Sequence, residues 1–214
     1  DPADPVFDGA VLHDVRLTMK PEDWATLKAR VLWDTYYPAD FQWRDITLAN
    51  VAVKSRGAGS RNSHKPGLRI DFNRNVDQKF LKLSALVLAN AVQDPGMLNR
   101  RLAMLTYARL GLPASRVVHA RLFVNGEYQG LYELVEEPAK AMMARIFGRD
   151  SAGKKRDGGY LFEYRWDEHW DWSYFGPDFA RLALLFEAKT REDDPPADLY
   201  GPLDDLLRVV SSGP

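Results

Sequence analysis

The sequence predicts an α+β fold, a mostly antiparallel sheet with two or three helices packed against it. A strongly specified β-hairpin, apolar runs of strand length between Gly and Pro punctuation, and helix patterns ending on glycine carry that prediction. The hairpin is the stretch Arg121–Glu137, RLFVNGEYQGLYELVEE. Both central positions of a type I′ turn need a positive φ, which Asn125-Gly126 tolerates, and apolar and polar residues alternate on either side. The second strand ends in paired carboxylates, Glu136 and Glu137.

The remaining elements follow in order. Val11 to Met19 alternates as a strand. Pro21-Glu22-Asp23 then opens a helix with Trp24, Leu27, Val31 and Leu32 on one face, Pro and early acids suiting a helix start. Ile46 to Lys54 is a second strand, and it runs into the Gly/Ser-rich basic loop RGAGSRNSHKPG, Arg56 to Gly67. The chain re-enters a strand with Leu68, Ile70 and Phe72 on one face and Arg69 and Asp71 on the other. After the apolar run Leu83–Leu88, Asp94-Pro95 provides an N-cap and a first-turn proline. The helix that follows carries Leu98, Leu102, Leu105 and Ala108, and stops at Gly111 and Pro113. Pro138 starts a third helix through Met142, Ile146 and Phe147. Tyr160–Tyr164 reads as a short strand, Trp166–Phe175 as an aromatic-acidic stretch and Phe179–Phe186 as helical. From Arg191 a linker leads to one short amphipathic helix, so the predicted division is a domain over 1–190 and a linker with helix over 191–214.

Composition narrows the function classes. Lys+Arg 29 against Asp+Glu 30 gives no broad attraction to nucleic acid or anionic membrane. Cysteine is absent, which removes disulfides, thiolate catalysis and Cys-bound zinc and leaves the redox compartment open. No apolar run approaches the roughly 20 residues that span a bilayer, and DPADPVFDG lacks the regions of a signal peptide. His13, His64, His119 and His169 are scattered, without HExxH or a defensible Ser/His/Asp order, so neither a zinc site nor a hydrolase triad is expected.

Several groups have two readings. The loop amides freed by glycine, with Arg56, Arg61 and Lys65 nearby, can cradle phosphates, or the loop is a solvated turn. Arg69 is a phosphate contact or a surface cation. Glu136 and Glu137 are acid, base or hydroxyl-binding groups, or a solvated strand end. Asp94 reads as a helix cap, and the WDEHWDW run Trp166–Trp172 as a metal or sugar face or an aromatic-packed loop.

The order RGAGSRNSHKPGLRIDF, LKLSALVLANAVQD, a helix ending Leu110-Gly111-Leu112-Pro113-Ala114, ARLFVNGEYQGLYELVEE and GYLFEY resembles the spore-coat protein H (CotH) kinase family, over roughly Val51 to Tyr164. The NGEYxGLYxLVE hairpin is its most specific segment. The resemblance implies the nucleotide-binding N-terminal lobe of an atypical, secretory-type protein kinase that uses ATP with Mg²⁺ or Mn²⁺ to phosphorylate serine-rich proteins, itself included. It implies that Arg56, Gly57 and Ser60 fall on the family's RGNSS-like phosphate loop, and that Lys65 and Arg69 fall on the Lys and Arg of its KK[SP]YR segment. Glu136 falls on the glutamate ending the hairpin, where a kinase hinge meets adenine and ribose. Catalytic and metal-holding residues stay unassigned.

The departures are Pro66 for the second Lys, Leu68 for the aromatic and Asn99-Arg100 for an Arg-Asn pair. The family's later D…N and WDxD-like segments do not appear after Thr190. The chain thus reads as the nucleotide-binding portion of such a kinase, inactive alone, with an extracytoplasmic, cell-surface or spore-surface location. The alternative is a noncatalytic coat, surface or adhesion module that keeps the fold.

Overall fold

A computed structural model describes residues 1–165 and 170–212. The chain divides into two compact units, Asp1–Glu137 and Pro138–Pro214.

The first unit is a closed barrel of seven strands in the order β1-β2-β3-β4-β5-β7-β6. The strands are β1 (His13–Thr18), β2 (Tyr37–Trp43), β3 (Ile46–Ser55), β4 (Leu68–Asp71), β5 (Ala85–Ala89), β6 (Val117–Val124) and β7 (Glu127–Glu136). Every neighbouring pair is antiparallel except β1 with β6, which run parallel from His13↔Ala120 to Leu17↔Val124. That pairing joins the first strand to the sixth and leaves the sheet without an edge.

This corrects the expected architecture. The sheet is mostly antiparallel, but it is not a kinase-lobe sheet with helices packed on it. Closure puts the apolar face of every strand inside, so the barrel fills itself and needs no helical cover. Phe41, Leu68, Ile70, Leu86, Leu88, Leu122, Tyr132 and Leu134 are fully buried. Within that core Phe80, carried by the β4–β5 connection, sits 4.9 Å from Phe41, 5.3 Å from Phe72 and 5.7 Å from Trp43, each ring meeting the next at a tilt or edge-on.

The helices of this unit are peripheral. Helix α1 (Pro21–Ala29) buries Trp24 and Leu27 but ends before Val31 and Leu32, and Leu32 is exposed. Helix α2 (Asn99–Arg109) buries none of its residues, and Leu98, Leu102 and Leu105, the stripe expected to pack on a sheet, are open to solvent. It starts at Asn99, whose amide donates to Asp94 Oδ2 at 2.7 Å, so Asp94 caps the helix from five residues upstream. Strand β2 had no sequence expectation: Pro38 inside it and a register shift between Ala39 and Phe41 obscure its period.

The β6–β7 turn forms as expected, with Asn125 at φ 53° and Gly126 at φ 84°. It also does something local pattern does not foretell. The Asn125 amide donates to Leu17 O at 2.8 Å and its Oδ1 accepts from the Met19 amide at 2.9 Å, so the turn latches onto the end of β1.

The second unit holds α3 (Lys140–Phe147), β8 (Phe162–Tyr164), α4 (Phe179–Leu185), β9 (Phe186–Ala188) and α5 (Pro196–Ser212). Strands β8 and β9 pair antiparallel. Trp170, Leu182, Phe186, Leu199, Tyr200 and Leu203 form its core. Asp178 caps α4 by accepting from the Arg181 amide at 2.9 Å.

Two substitutions test the barrel. Phe80→Ala is expected to cost about 3–5 kcal/mol through lost burial and a cavity in the aromatic cluster, measured by denaturant unfolding. Asn125→Ala is expected to cost about 2 kcal/mol, from left-handed strain and the unpaired Met19 amide. Asn125→Gly, which keeps the conformation, should recover the strain part only.

Candidate functional site

The loop between β3 and β4 is held by its carbonyl groups. At its base the Arg56 amide donates to Gly67 O at 2.8 Å, and a Cβ on Gly67 would come within 2.8 Å of Arg56 O, so the two ends approach as closely as only glycine permits. Arg61 Nε donates to Gly57 O at 2.6 Å, while its Nη1 reaches Val31 O and its Nη2 reaches Asp34 at 2.6 Å. Asn90 Nδ2 donates to both Ser60 O and Lys65 O at 2.8 Å, and Gln93 Nε2 to Gly59 O at 3.2 Å. Among the described residues, the amides of Gly57, Ala58, Gly59 and Ser60 donate to nothing in the protein. Gly57 lies at φ +125°, and a Cβ there would fall 2.5 Å from Ser60 Oγ. The result is a run of four successive N–H donors without an acceptor among the described residues, available to an anion.

Two cations flank it. Arg56 is half-buried and its guanidinium makes no hydrogen bond or ion pair among the described residues. Lys65 places its ammonium 5.0 Å from the centroid of the Tyr132 ring. Its stem runs beside Gly130, where a Cβ would meet Lys65 Cε at 3.4 Å; Gly130, at φ +122°, sits at the irregularity in the β6–β7 register. Burial lowers the Lys65 pKa and the charge of Glu133 opposes that shift. Tyr132 is fully buried, its hydroxyl has no partner among the described residues, and burial raises its pKa.

Glu133, 1% exposed, is the group the sequence reading missed. One carboxylate oxygen pairs with Arg100 Nη1 of α2, and the other is buried without a partner among the described residues. Burial raises its pKa, and Arg100 partly offsets the rise. His119, its cross-strand neighbour, bonds through Nε2 to Met97 O at 2.8 Å. A carboxylate set between Tyr132 and Leu134 in a strand was the available signal, since a charge at a covered position needs a partner.

The other two expected site residues lie in different networks. Arg69 donates to Glu137 through Nε (2.6 Å) and Nη2 (3.0 Å), and through Nη1 to Asp71 Oδ2 and the Tyr36 hydroxyl, both at 2.6 Å. Burial alone would lower its pKa, but these carboxylates outweigh it and hold the guanidinium above its ordinary value. Two carboxylates thus take up the Arg69 guanidinium, while Arg74 and Lys54 lie over the Tyr36 ring beside it. Glu136 shares a face with Leu86 and Ile70, whereas Arg69 shares the opposite face with Val87 and Val135. Its carboxylate accepts from the Arg116 amide at 3.1 Å and from Arg116 Nη2 at 2.8 Å. Arg56, Gly57, Ser60 and Lys65 are therefore together on one loop, and Arg69 and Glu136 are apart from each other. Trp166, Asp167, Glu168 and His169 of the aromatic-acidic run lie outside the described residues. Among the described residues no three His, Asp or Glu side chains converge as metal ligands.

Glu133 carries a pH prediction. A carboxyl whose folded pKa is raised supports the folded state below its ordinary value of 4.5 and withdraws that support as pH climbs through the folded value. Melting temperatures taken from about pH 4 to about pH 7 should show Glu133→Gln gaining on the wild type as pH rises. A pH-independent gap would count against an ionisable buried Glu133.

No curated protein matches the chain. A family profile described as CotH kinase protein matches residues 53–191, from within β3 to just past β9, and so covers the Gly/Ser loop, Lys65, α2, the β6–β7 hairpin and much of the second unit. That match extends over more than half of the sequence, and the chain belongs to the CotH kinase protein family.

Proposed function

We propose that this chain is the nucleotide-binding portion of an ATP-dependent, CotH-type protein kinase acting on serine- or threonine-containing proteins, itself among the candidate acceptors. The observation that carries the reading is the Arg56–Gly67 loop, where the carbonyl oxygens of Gly57, Gly59, Ser60 and Lys65 accept hydrogen bonds while, among the described residues, the amides of Gly57 to Ser60 donate to nothing and the Arg56 and Lys65 cations make no ion pair. Family membership implies nucleotide and metal use in general terms.

The donor set suits a triphosphate. Backbone amides of Gly57 to Ser60 take phosphate oxygens, Ser60 Oγ adds a hydroxyl, and Arg56 and Lys65 neutralise charge. Lys65 gains from this arrangement in particular. Its ammonium is partly desolvated against Tyr132 with no ion-pair partner among the described residues, so an incoming phosphate relieves a cost already present in the protein. Glu133 favours the charged form of Lys65, and Arg100 partly offsets the burial that raises the Glu133 pKa. In phosphoryl transfer these groups orient the nucleotide and offset charge on its oxygens. Arg69 and Glu136, engaged by Glu137, Asp71 and Arg116, act as supports of the barrel wall in this reading.

The described residues do not supply a carboxylate set for Mg²⁺ or Mn²⁺, so no step is assigned to a metal. The same observation favours a second reading, a noncatalytic surface or coat module that keeps the fold.

Calorimetric titration with ATP and Mg²⁺ separates the two. Weak binding is expected, with Kd of roughly 0.1–1 mM, and Lys65→Ala should weaken it by about fivefold or more. Equal heats from the two proteins, or none from either, would sink the nucleotide site and leave the noncatalytic module.

A further inference from the structure

A second cationic site lies on β1, β2 and β6, on strands that take no part in the loop described above. A cavity of about 300 Å³ there is lined by Arg16, Arg44 and Arg121 together with Gln42, Trp43 and Asp14. Asp14 is the acid among the described lining residues, so three guanidinium charges against one carboxylate leave a net +2.

The three arginines are solvent-exposed, and each is ordered by an aromatic ring. Arg16 stacks 4.2 Å from the centroid of the Phe123 ring, and Arg121 approaches the same ring at 6.0 Å. Arg44 lies 4.4 Å from the centroid of Trp43. Asp14 bridges the first two, accepting from Arg121 Nε at 2.7 Å and from Arg16 Nη2 at 3.1 Å. Each of those arginines spends one N–H on the protein, and the Arg44 guanidinium spends none among the described residues. Guanidinium planes held by aromatic rings lose little freedom when a ligand arrives, and their paired N–H groups match the oxygens of a phosphate.

Backbone conformation points the same way. Arg44 sits at φ +52° in the β2–β3 turn, a left-handed conformation that Gly, Asn or Asp would adopt more easily. Gln42 Nε2 donates to its carbonyl at 3.2 Å and steadies it. The two-residue turn between Trp43 and Ile46 calls for that conformation, so the turn fixes where the Arg44 side chain begins. Beneath the site Trp43 Nε1 donates to His13 Nδ1 at 3.3 Å, and His13 Nε2 bonds to Asp8 O at 3.2 Å, so the floor is fixed and its polar atoms are partnered.

We propose that this cavity binds a phosphate monoester, whose dianion at neutral pH matches the net +2 and whose tetrahedral oxygens can take paired donors from the three arginines. The cavity is larger than a phosphate group alone needs, leaving space for the carrier of the ester. The ester can come from a small phosphorylated metabolite or from a phosphorylated side chain, and both present the same head.

Titration of the full chain with O-phosphoserine, inorganic phosphate and malonate at low salt tests this, read by calorimetry and by the ¹H–¹⁵N signal of the Trp43 indole. Phosphoserine should bind with Kd of roughly 0.1–1 mM, shift the Trp43 signal and weaken as salt is added. Arg16→Gln and Arg44→Gln should each reduce affinity by about fivefold or more, while Lys65→Ala leaves it unchanged and so keeps this site distinct from the loop. A phosphoserine peptide binding more tightly than the free amino acid identifies a protein-borne ester, and equal affinity identifies a small one. Equal binding of malonate, binding of inorganic phosphate alone, or affinity unaltered in both arginine variants with unchanged melting temperatures would overturn the proposal.

Discussion

The parallel seam between β1 and β6 is the constraint from which the first unit takes its form. Strands 13–18 and 117–124 lie about a hundred residues apart in sequence, and pairing them removes the sheet's edges and encloses its apolar face. Once the face is enclosed, α1 and α2 are free of the task of covering it, which is why the Leu98, Leu102 and Leu105 stripe stays in water. The Asn125 turn belongs to the same device: its amide and side chain bond to Leu17 and Met19, so a turn that shapes a hairpin also pins the seam.

Closure also sorts the charges. Alternation along β7 sends Glu136 to the face it shares with Leu86 and Glu133 and Glu137 to the other, so three carboxylates within five residues enter three separate networks with Arg116, Arg100 and Arg69. A guanidinium enclosed by two carboxylates has its charge met within the wall, whereas the Lys65 ammonium lies against the Tyr132 ring and makes no ion pair among the described residues. The loop from Arg56 to Gly67 extends the contrast into the backbone. Arg61, Asn90 and Gln93 occupy the carbonyl oxygens of Gly57, Gly59, Ser60 and Lys65, and among the described residues the amides of Gly57 to Ser60 have no acceptor in the protein.

Arginine is used in two ways on this barrel. On β4 and before β6 it is consumed by carboxylates and ties strands together; on β1, at the β2–β3 turn and on β6 it is laid over Phe123 and Trp43 with donors to spare. Asp14 takes one N–H from each of Arg16 and Arg121, and the Phe123 ring beside them orders the side chains without using further donors.

Local chemistry determined much of this protein from the residues alone. The Asn125-Gly126 turn, the apolar alternation of β1, β3, β4 and the β6–β7 hairpin, the Gly111 stop and the Gly/Ser loop with its cations depend on neighbours a few positions away, and they formed as the residue types require. The ordered motifs were enough to mark the CotH family. Tertiary structure alone decided the rest, because it turns on partners far apart in the chain. The barrel instead of an open lobe rests on β1 meeting β6; the partners of Arg69 and Glu136 rest on which carboxylates and guanidiniums strand pairing brings within 3 Å; and the pairing of buried Glu133 rests on Arg100 reaching it from a helix 33 positions upstream. A one-residue step along a strand reverses the face a side chain occupies, so which of Glu133, Glu136 and Glu137 meets which cation is a property of register and closure.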